Sequence, residues 1–85
     1  MPRMMKAEWM SEPVPVYGWA ILKNGWEYYF LDNEKGDIRF AYVCGWENEM
    51  GDVSMTEIQP YIRAITFKDA DLQDIAPAPD CVWVD

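Results

Sequence analysis

Alternating apolar and polar positions predict an antiparallel sheet in the first half of the chain. Three strand-like runs follow one another at residues 16–22, 26–31 and 38–44. Asn24 and Gly25, between the first two runs, form the strongest short hairpin signal because both residue types tolerate a positive φ. A longer polar turn joins the second run to the third. We therefore expect a meander of these three strands.

The same alternation indicates what each face of the sheet carries, since successive side chains of a strand point to opposite faces. Each run has one dominant apolar face. The opposite face keeps apolar side chains as well, among them Tyr29, Leu31 and Val43. Such a face needs a cover, which would come either from the ends of the chain or from a second molecule.

The segment after the third run carries the pattern of a helix start. Ser54 and Glu57 have the spacing of a capping box, in which the serine caps the helix and the glutamate bonds back to the serine amide. Val53 and Ile58 occupy the positions of a hydrophobic staple. Pro60 stops a longer helix because it lacks an amide hydrogen. We expect one to two helical turns.

The rest of the chain predicts a fourth strand and less regular ends. Residues 61–67 alternate like a strand, and residues 68–75 fit one more capped turn. The apolar run 81–84 would dock on a sheet edge or on another molecule. Residues 1–15 are interpreted as a loose N-terminal arm. The prediction is one α+β domain over residues 16–85, with a small antiparallel three- to four-stranded meander sheet and one short capped helix.

Composition adds a core and an acidic surface to this picture. The 85 residues include five Trp, five Tyr and three Phe, and each such side chain buries about 150–250 Å², which gives a short chain a core. Fifteen acids against seven bases leave a net charge of -8. Direct nucleic-acid binding needs Lys and Arg to neutralise phosphates, so we expect that this chain does not bind nucleic acid directly. Basic proteins or neutral surfaces are the expected partners.

Neither a membrane nor an export route is predicted. No stretch approaches the ~20 apolar residues of a membrane span, and the N-terminal residues lack the apolar core of a signal peptide. Cys44 and Cys81 are too few for a disulfide framework and are expected to be reduced, buried residues. We therefore expect a cytoplasmic protein.

Candidate chemistry concentrates in residues 44–51. Glu47 and Glu49 are the best carboxylate pair in the chain. A catalytic pair needs one pKa raised by burial, and only Trp46 and Met50 are there to bury it, so a solvated acidic loop is the preferred interpretation. The chain has no histidine, which removes the usual activation of a nucleophile and the commonest transition-metal ligand. We expect no enzymatic activity, no metal and no cofactor.

The order of features along the chain resembles a known family. An aromatic strand at 26–29 leads through an acidic turn to 40–43, then to a glycine-flanked acidic loop at 45–51 and a helix start at 54–58. Over about residues 14–75 this order resembles a family of small uncharacterised proteins carried on bacterial plasmids and conjugative elements. The family has no established activity, so the resemblance implies a mobile-genetic-element setting and no specific chemistry.

The aromatic side chains are the main candidates for a binding surface, because aromatic anchors are enriched at protein interfaces. We predict a non-catalytic, acidic protein-binding accessory protein of a mobile element, which associates with itself as a homodimer or larger assembly, or with another protein. The alternative is a protein that binds a small cationic or apolar ligand in an aromatic pocket, and an acidic mimic of nucleic acid comes third. The aromatics of the predicted contact surface are those least expected to be fully buried. The predicted contact residues are Trp46, Glu47, Glu49, Trp19, Tyr29 and Trp83.

Overall fold

The computed structural model describes residues 2–84, which form two antiparallel sheets and two single-turn helices. The elements are β1 (Arg3–Ala7), β2 (Val14–Val16), β3 (Gly18–Leu22), β4 (Glu27–Phe30), β5 (Ile38–Cys44), β6 (Asn48–Ser54), α1 (Met55–Ile58), a 3-10 turn (Gln59–Tyr61), β7 (Ile62–Thr66), α2 (Asp69–Leu72) and β8 (Cys81–Val84). The large sheet has the order β6-β5-β4-β3-β7 and the small sheet the order β2-β1-β8. The predicted α+β class is confirmed.

The predicted meander forms the centre of the large sheet. Strands β3, β4 and β5 are neighbours in chain order, and β7 pairs with the free side of β3. The turn between β3 and β4 is closed by Leu22 N–H to the Trp26 carbonyl (2.8 Å) and Gly25 N–H to the Leu22 carbonyl (3.0 Å). Gly25 has a φ of 94°. Glycine therefore supplies the left-handed residue of this hairpin, as its sequence predicts.

The acidic segment after β5 is mostly strand, and its interpretation as a loop is wrong. β6 pairs with β5 along its whole length, from Ile38 opposite Ser54 to Cys44 opposite Asn48. Only residues 45–47 lie outside the two strands. Because β6 is an edge strand with several exposed polar side chains, it lacks the apolar alternation that reveals a strand in a sequence.

Residues 2–15 do not form the loose arm that was predicted. β1 is the central strand of the small sheet, with Arg3 opposite Val16 in β2 and Ala7 opposite Cys81 in β8. Met5 and Ala7 are buried. The five residues of β1 include three apolar ones, Met4, Met5 and Ala7, which do not alternate strictly with polar residues. The partner strand β8 is more than seventy residues away along the chain, so no local pattern indicates this ladder.

The ends of the chain cover the face that carries Tyr29 and Leu31. Val43 was assigned to the same face, but it lies opposite Tyr28 and packs against the other face of the sheet. The small sheet packs against one face of the large sheet, and the buried cluster between them contains Met5, Ala7, Met10, Val16, Tyr29, Leu31, Tyr42, Ala78 and Cys81. A second cluster lies on the opposite face of the large sheet under α1, and contains Ala20, Leu22, Tyr28, Phe30, Ala41, Val53 and Ile58. No second molecule is needed to bury the face that carries Tyr29.

Helix α1 begins where its sequence predicts. The Ser54 hydroxyl accepts the Glu57 amide hydrogen (3.3 Å), and Val53 and Ile58 share the second cluster as a staple. Asp37 adds a further cap, because its carboxylate accepts the Thr56 amide hydrogen (2.7 Å). Hydrogen bonds from the Thr56 side chain and amide, and from Ser54, lower the pKa of Asp37. None of the helices within residues 2–84 has the length and apolar character needed to cross a bilayer.

Candidate functional site

The turn between β5 and β6 projects an exposed tryptophan that is followed by two acids. Trp46 is 90% exposed, and Glu47 and Glu49 on either side of Asn48 are exposed as well. We call Trp46, Glu47 and Glu49 the hairpin tip. A Gly45 amide hydrogen bond to the Glu47 carbonyl (3.3 Å) closes the turn. The structure thus brings three of the six predicted contact residues together.

The base of the hairpin tip is held in place by a second tryptophan. A Cβ atom on Gly45 would lie 2.7–2.8 Å from three ring atoms of Trp26, so only glycine lets this indole pack across the backbone. Trp26 is itself partly buried against the second cluster. The backbone of the tip is therefore fixed by packing, whereas the Trp46 side chain stands in solvent.

Tyr29 is fully buried, and the prediction that it stays accessible is wrong. It lies in the cluster between the two sheets. Its hydroxyl oxygen is 2.8 Å from a Glu27 carboxylate oxygen and 2.9 Å from the Ala76 carbonyl. Burial, and then the hydrogen bond and charge of Glu27, raise the pKa of Tyr29 well above its ordinary value. The small sheet, which was not predicted, is the physical reason for this burial.

Trp19 and Trp83 lie partly buried beside Tyr29 and are not part of the hairpin tip. The Trp19 indole donates to the Glu27 carboxylate (3.3 Å), and the Trp83 indole donates to the Ile75 carbonyl (3.0 Å). The Arg3 guanidinium lies 4.0 Å from the centre of the Trp83 ring and donates to a carbonyl of α2. These side chains join the two sheets, so the predicted contact residues separate into an exposed group and an internal group.

An aromatic groove that the sequence did not reveal lies between the β3–β4 turn and α1. Its volume is about 420 Å³, and it is lined by Leu22, Lys23, Asn24, Trp26, Tyr28, Glu57, Ile58 and Tyr61. A hydrogen bond from the Lys23 amide to the Tyr61 carbonyl (2.8 Å) ties its two sides together. The two sides are about thirty residues apart in sequence, so only the pairing of β3 with β7 brings them together.

A second groove, which we call the tryptophan groove, runs beside β8. Its volume is about 410 Å³, and it is lined by Glu8, Trp9, Pro79, Asp80, Cys81 and Val82. Asp80 accepts hydrogen bonds from the Tyr42 hydroxyl (2.6 Å) and the Trp9 indole (3.1 Å). Burial alone would raise the pKa of Asp80, but the hydrogen bonds from Tyr42, Trp9 and Cys81 outweigh it and lower the pKa. Asp80 is therefore a carboxylate at neutral pH.

The thiols are not poised for chemistry. Burial, followed by nearby carboxylates, raises the pKa of Cys44 and of Cys81 to about 12, so both are protonated at neutral pH and poor nucleophiles. Within residues 2–84, no three side chains of the His, Cys, Asp and Glu types are placed to hold a metal ion.

Two of the seven bases are held by contacts inside the fold. Arg39 is buried, bonds Asp32 at 2.9 Å and lies over the rings of Phe30 and Phe67. The Arg3 guanidinium stacks on Trp83 and donates hydrogen bonds to carbonyl oxygens at the end of α2.

Comparison with protein-family models, curated proteins and solved structures gives no match. A functional interpretation therefore rests on the surfaces themselves.

Proposed function

We propose that this chain is a non-catalytic protein-binding module that holds its partner through the hairpin tip. The observation that supports this proposal is the 90% exposure of Trp46 on a backbone fixed by the packing of Trp26 over Gly45. A Trp side chain offers about 150–250 Å² for burial. At about 25 cal/mol per Å², its transfer into a partner's pocket is worth about 4–6 kcal/mol before the costs of association.

The acids of the tip define the chemistry of the partner. Glu47 and Glu49 follow Trp46 in the chain, and neither forms an ion pair among residues 2–84, where the single pair joins Arg39 to Asp32. A partner with an apolar pocket rimmed by Lys or Arg complements this arrangement. Such rim charges act mainly on the association rate, which then falls as salt rises.

We favour a different, basic protein over a second copy of the chain. The sheet face that argued for self-association is covered by the chain's own small sheet. A second copy also carries a net charge of -8, so two approaching tips repel each other. We keep in the proposal the setting on a bacterial mobile element, which the sequence resemblance implies.

A second candidate function, the binding of a small ligand, is favoured by the aromatic groove. Its volume of about 420 Å³ falls within the size range of small-molecule sites. Trp26, Tyr28 and Tyr61 supply aromatic surface for an apolar or cationic ligand, and Glu57 supplies a carboxylate at the rim. A thermal-shift screen with aromatic amines and quaternary ammonium ions tests it. A true ligand raises the melting temperature of the wild type and not of Tyr61→Ala.

The test of the main proposal is quantitative affinity capture from cells of the natural source, with four tagged proteins in parallel. These are the wild type, Trp46→Ala, the double variant Glu47→Gln with Glu49→Gln, and the control Ile38→Ala. Ile38 is also exposed, at 56%, but it begins β5 at the end opposite the tip. Loss of a hot-spot tryptophan costs about 2–4 kcal/mol of binding, so Trp46→Ala should lose at least about thirtyfold in affinity.

The expected pattern is specific to the tip. Proteins captured by the wild type and by Ile38→Ala should be lost with Trp46→Ala and reduced with the double variant, while all four proteins keep the same urea midpoint. Capture of the same proteins in the same amounts by Trp46→Ala contradicts the proposal.

A further inference from the structure

The tryptophan groove combines an exposed aromatic ring with two carboxylates and no base. The indole N–H of Trp9 is bound to Asp80 (3.1 Å), yet the residue remains 59% exposed. The hydrogen bond fixes the orientation of the Trp9 ring. The ring also packs against Tyr42, with 6.0 Å between the two ring centres. A fixed and accessible indole is the best aromatic surface for a cation.

The two carboxylates of the groove have acceptor capacity to spare. Oδ2 of Asp80 accepts from Tyr42 and Trp9, whereas its Oδ1 has only the weak thiol donor of Cys81 at 3.5 Å. Glu8 is exposed, and the one ion pair among residues 2–84 does not involve it. Lys6 faces Val82 across the β1–β8 ladder, but its ammonium donates to the Ala7 carbonyl (3.4 Å) and does not line the groove.

We infer that the tryptophan groove binds an arginine side chain carried on an extended basic segment of a partner protein. A guanidinium is planar, stacks on an indole and donates two parallel hydrogen bonds to a carboxylate. The groove provides an indole face at Trp9, the weakly bonded Oδ1 of Asp80 and the exposed carboxylate of Glu8. An ammonium would satisfy the charge but not the planar stacking, so arginine fits better than lysine.

The position of the groove beside β8 indicates why the segment is extended. β8 is an edge strand of the small sheet, paired with β1 on one side only. Cys81 and Val82 of this strand line the groove. A partner strand laid along β8 would form main-chain hydrogen bonds there, and an adjacent side chain could enter the groove, as in other cases of strand addition.

This site uses none of the residues of the hairpin tip, so either proposal can fail alone. The probe is a blocked pentapeptide, Thr-Val-Arg-Val-Thr, and its matched control carries citrulline, which has the shape of arginine without the charge. Each peptide is titrated into the full ¹⁵N-labelled chain. The readout is the indole N–H signal of Trp9, assigned by its loss in Trp9→Phe.

The arginine peptide should shift the Trp9 signal with saturation, and the citrulline peptide should bind at least about tenfold more weakly, since it lacks the cation–π and charge contributions. Glu8→Gln should weaken binding by up to about fivefold. Glu12→Gln removes the same charge from an exposed residue outside the groove lining and should change affinity by less than about twofold. Trp46→Ala should leave peptide binding unchanged.

Three results would overturn the inference. They are an unmoved Trp9 signal at saturating peptide, equal binding of the two peptides, and equal effects of Glu8→Gln and Glu12→Gln. Glu8 is exposed, so its variant tests the site without endangering the fold. If peptide binding fails while Trp46→Ala still abolishes partner capture, the hairpin-tip proposal stands and this inference does not.

Discussion

Replacing Met5 with alanine tests whether β1 is an integral part of the core. Met5 is 0% exposed and lies opposite Trp83 in the small sheet. Removal of a buried Met side chain costs about 2–5 kcal/mol, because transfer energy is lost and a cavity remains. An 85-residue domain has a total stability of about 4–13 kcal/mol. The substitution therefore removes a large part of the stability.

Urea unfolding followed by tryptophan fluorescence measures this loss. With an m-value near 1 kcal/mol per M, which is typical of a small domain, a loss of about 2–5 kcal/mol should lower the midpoint of Met5→Ala by about 2–5 M. Met4→Ala is the matched control, because Met4 is only partly buried and points to the outer face of the same strand. We expect it to lose less than about 1 kcal/mol. Equal midpoints for the two variants would refute the assignment of β1 to the core.

Three further predictions concern the tip, the thiols and the helix cap. Gly45→Ala should lower the free energy of unfolding by about 1–3 kcal/mol, because its Cβ would lie 2.7 Å from ring atoms of a neighbouring indole. A Cβ at Gly51 would meet open space, so Gly51→Ala should lower it less. Equal losses of stability in urea unfolding would contradict this prediction. The pKa values of Cys44 and Cys81 are raised from 9.0 to about 12, so the folded chain holds these protons more tightly than the unfolded one. The stabilisation that these protons give is complete below pH 9 and is lost as the pH rises towards 12. The urea midpoint of the wild type should therefore fall between pH 8 and pH 10.5, and it should fall less in the Cys44→Ala, Cys81→Ala double variant. An equal fall in the two proteins would contradict this prediction. Ser54→Ala should cost about 1 kcal/mol by removing the helix cap, and an unchanged urea midpoint would exclude that role.

Local signals were sufficient for the centre of the large sheet and for α1. The alternation in residues 26–31 and 38–44 and the turn at Gly25 predict β3, β4 and β5, because these strands pair with their neighbours in the chain. The spacing of Ser54 and Glu57 predicts the start of α1, because a cap forms within one helical turn. Such features depend on a few adjacent residues, which a sequence displays directly.

The small sheet could not be predicted, because its ladder joins β1 to β8 across nearly the full chain. β2 contains Pro15, which weakens any strand signal. Because this sheet was not predicted, Tyr29 was expected on an accessible face. The tryptophan groove lies beside β8 of the same sheet, so it was not predicted either. Trp46 was placed correctly at the surface, because a glycine precedes it and acids follow it in the sequence.

Edge-strand composition explains the other error. β6 carries Glu49, Gly51 and Asp52, which are residue types depleted in strands. Its backbone is held by the ladder with β5, so the strand does not depend on its own propensity. Acids on an exposed edge also discourage pairing with another sheet, which agrees with a contact surface centred on the tip rather than on the edge.

Photo-crosslinking from position 46 tests the central claim most directly. A benzoylphenylalanine at Trp46 keeps a large exposed aromatic group, and the same amino acid at Ile38, 56% exposed on the far end of β5, is the control. Illumination in cells of the natural source should give a discrete protein adduct from position 46 that is absent from position 38 and that weakens with Glu47→Gln and Glu49→Gln. The absence of an adduct at position 46, or the same adduct from both positions, would contradict a partner-binding hairpin tip.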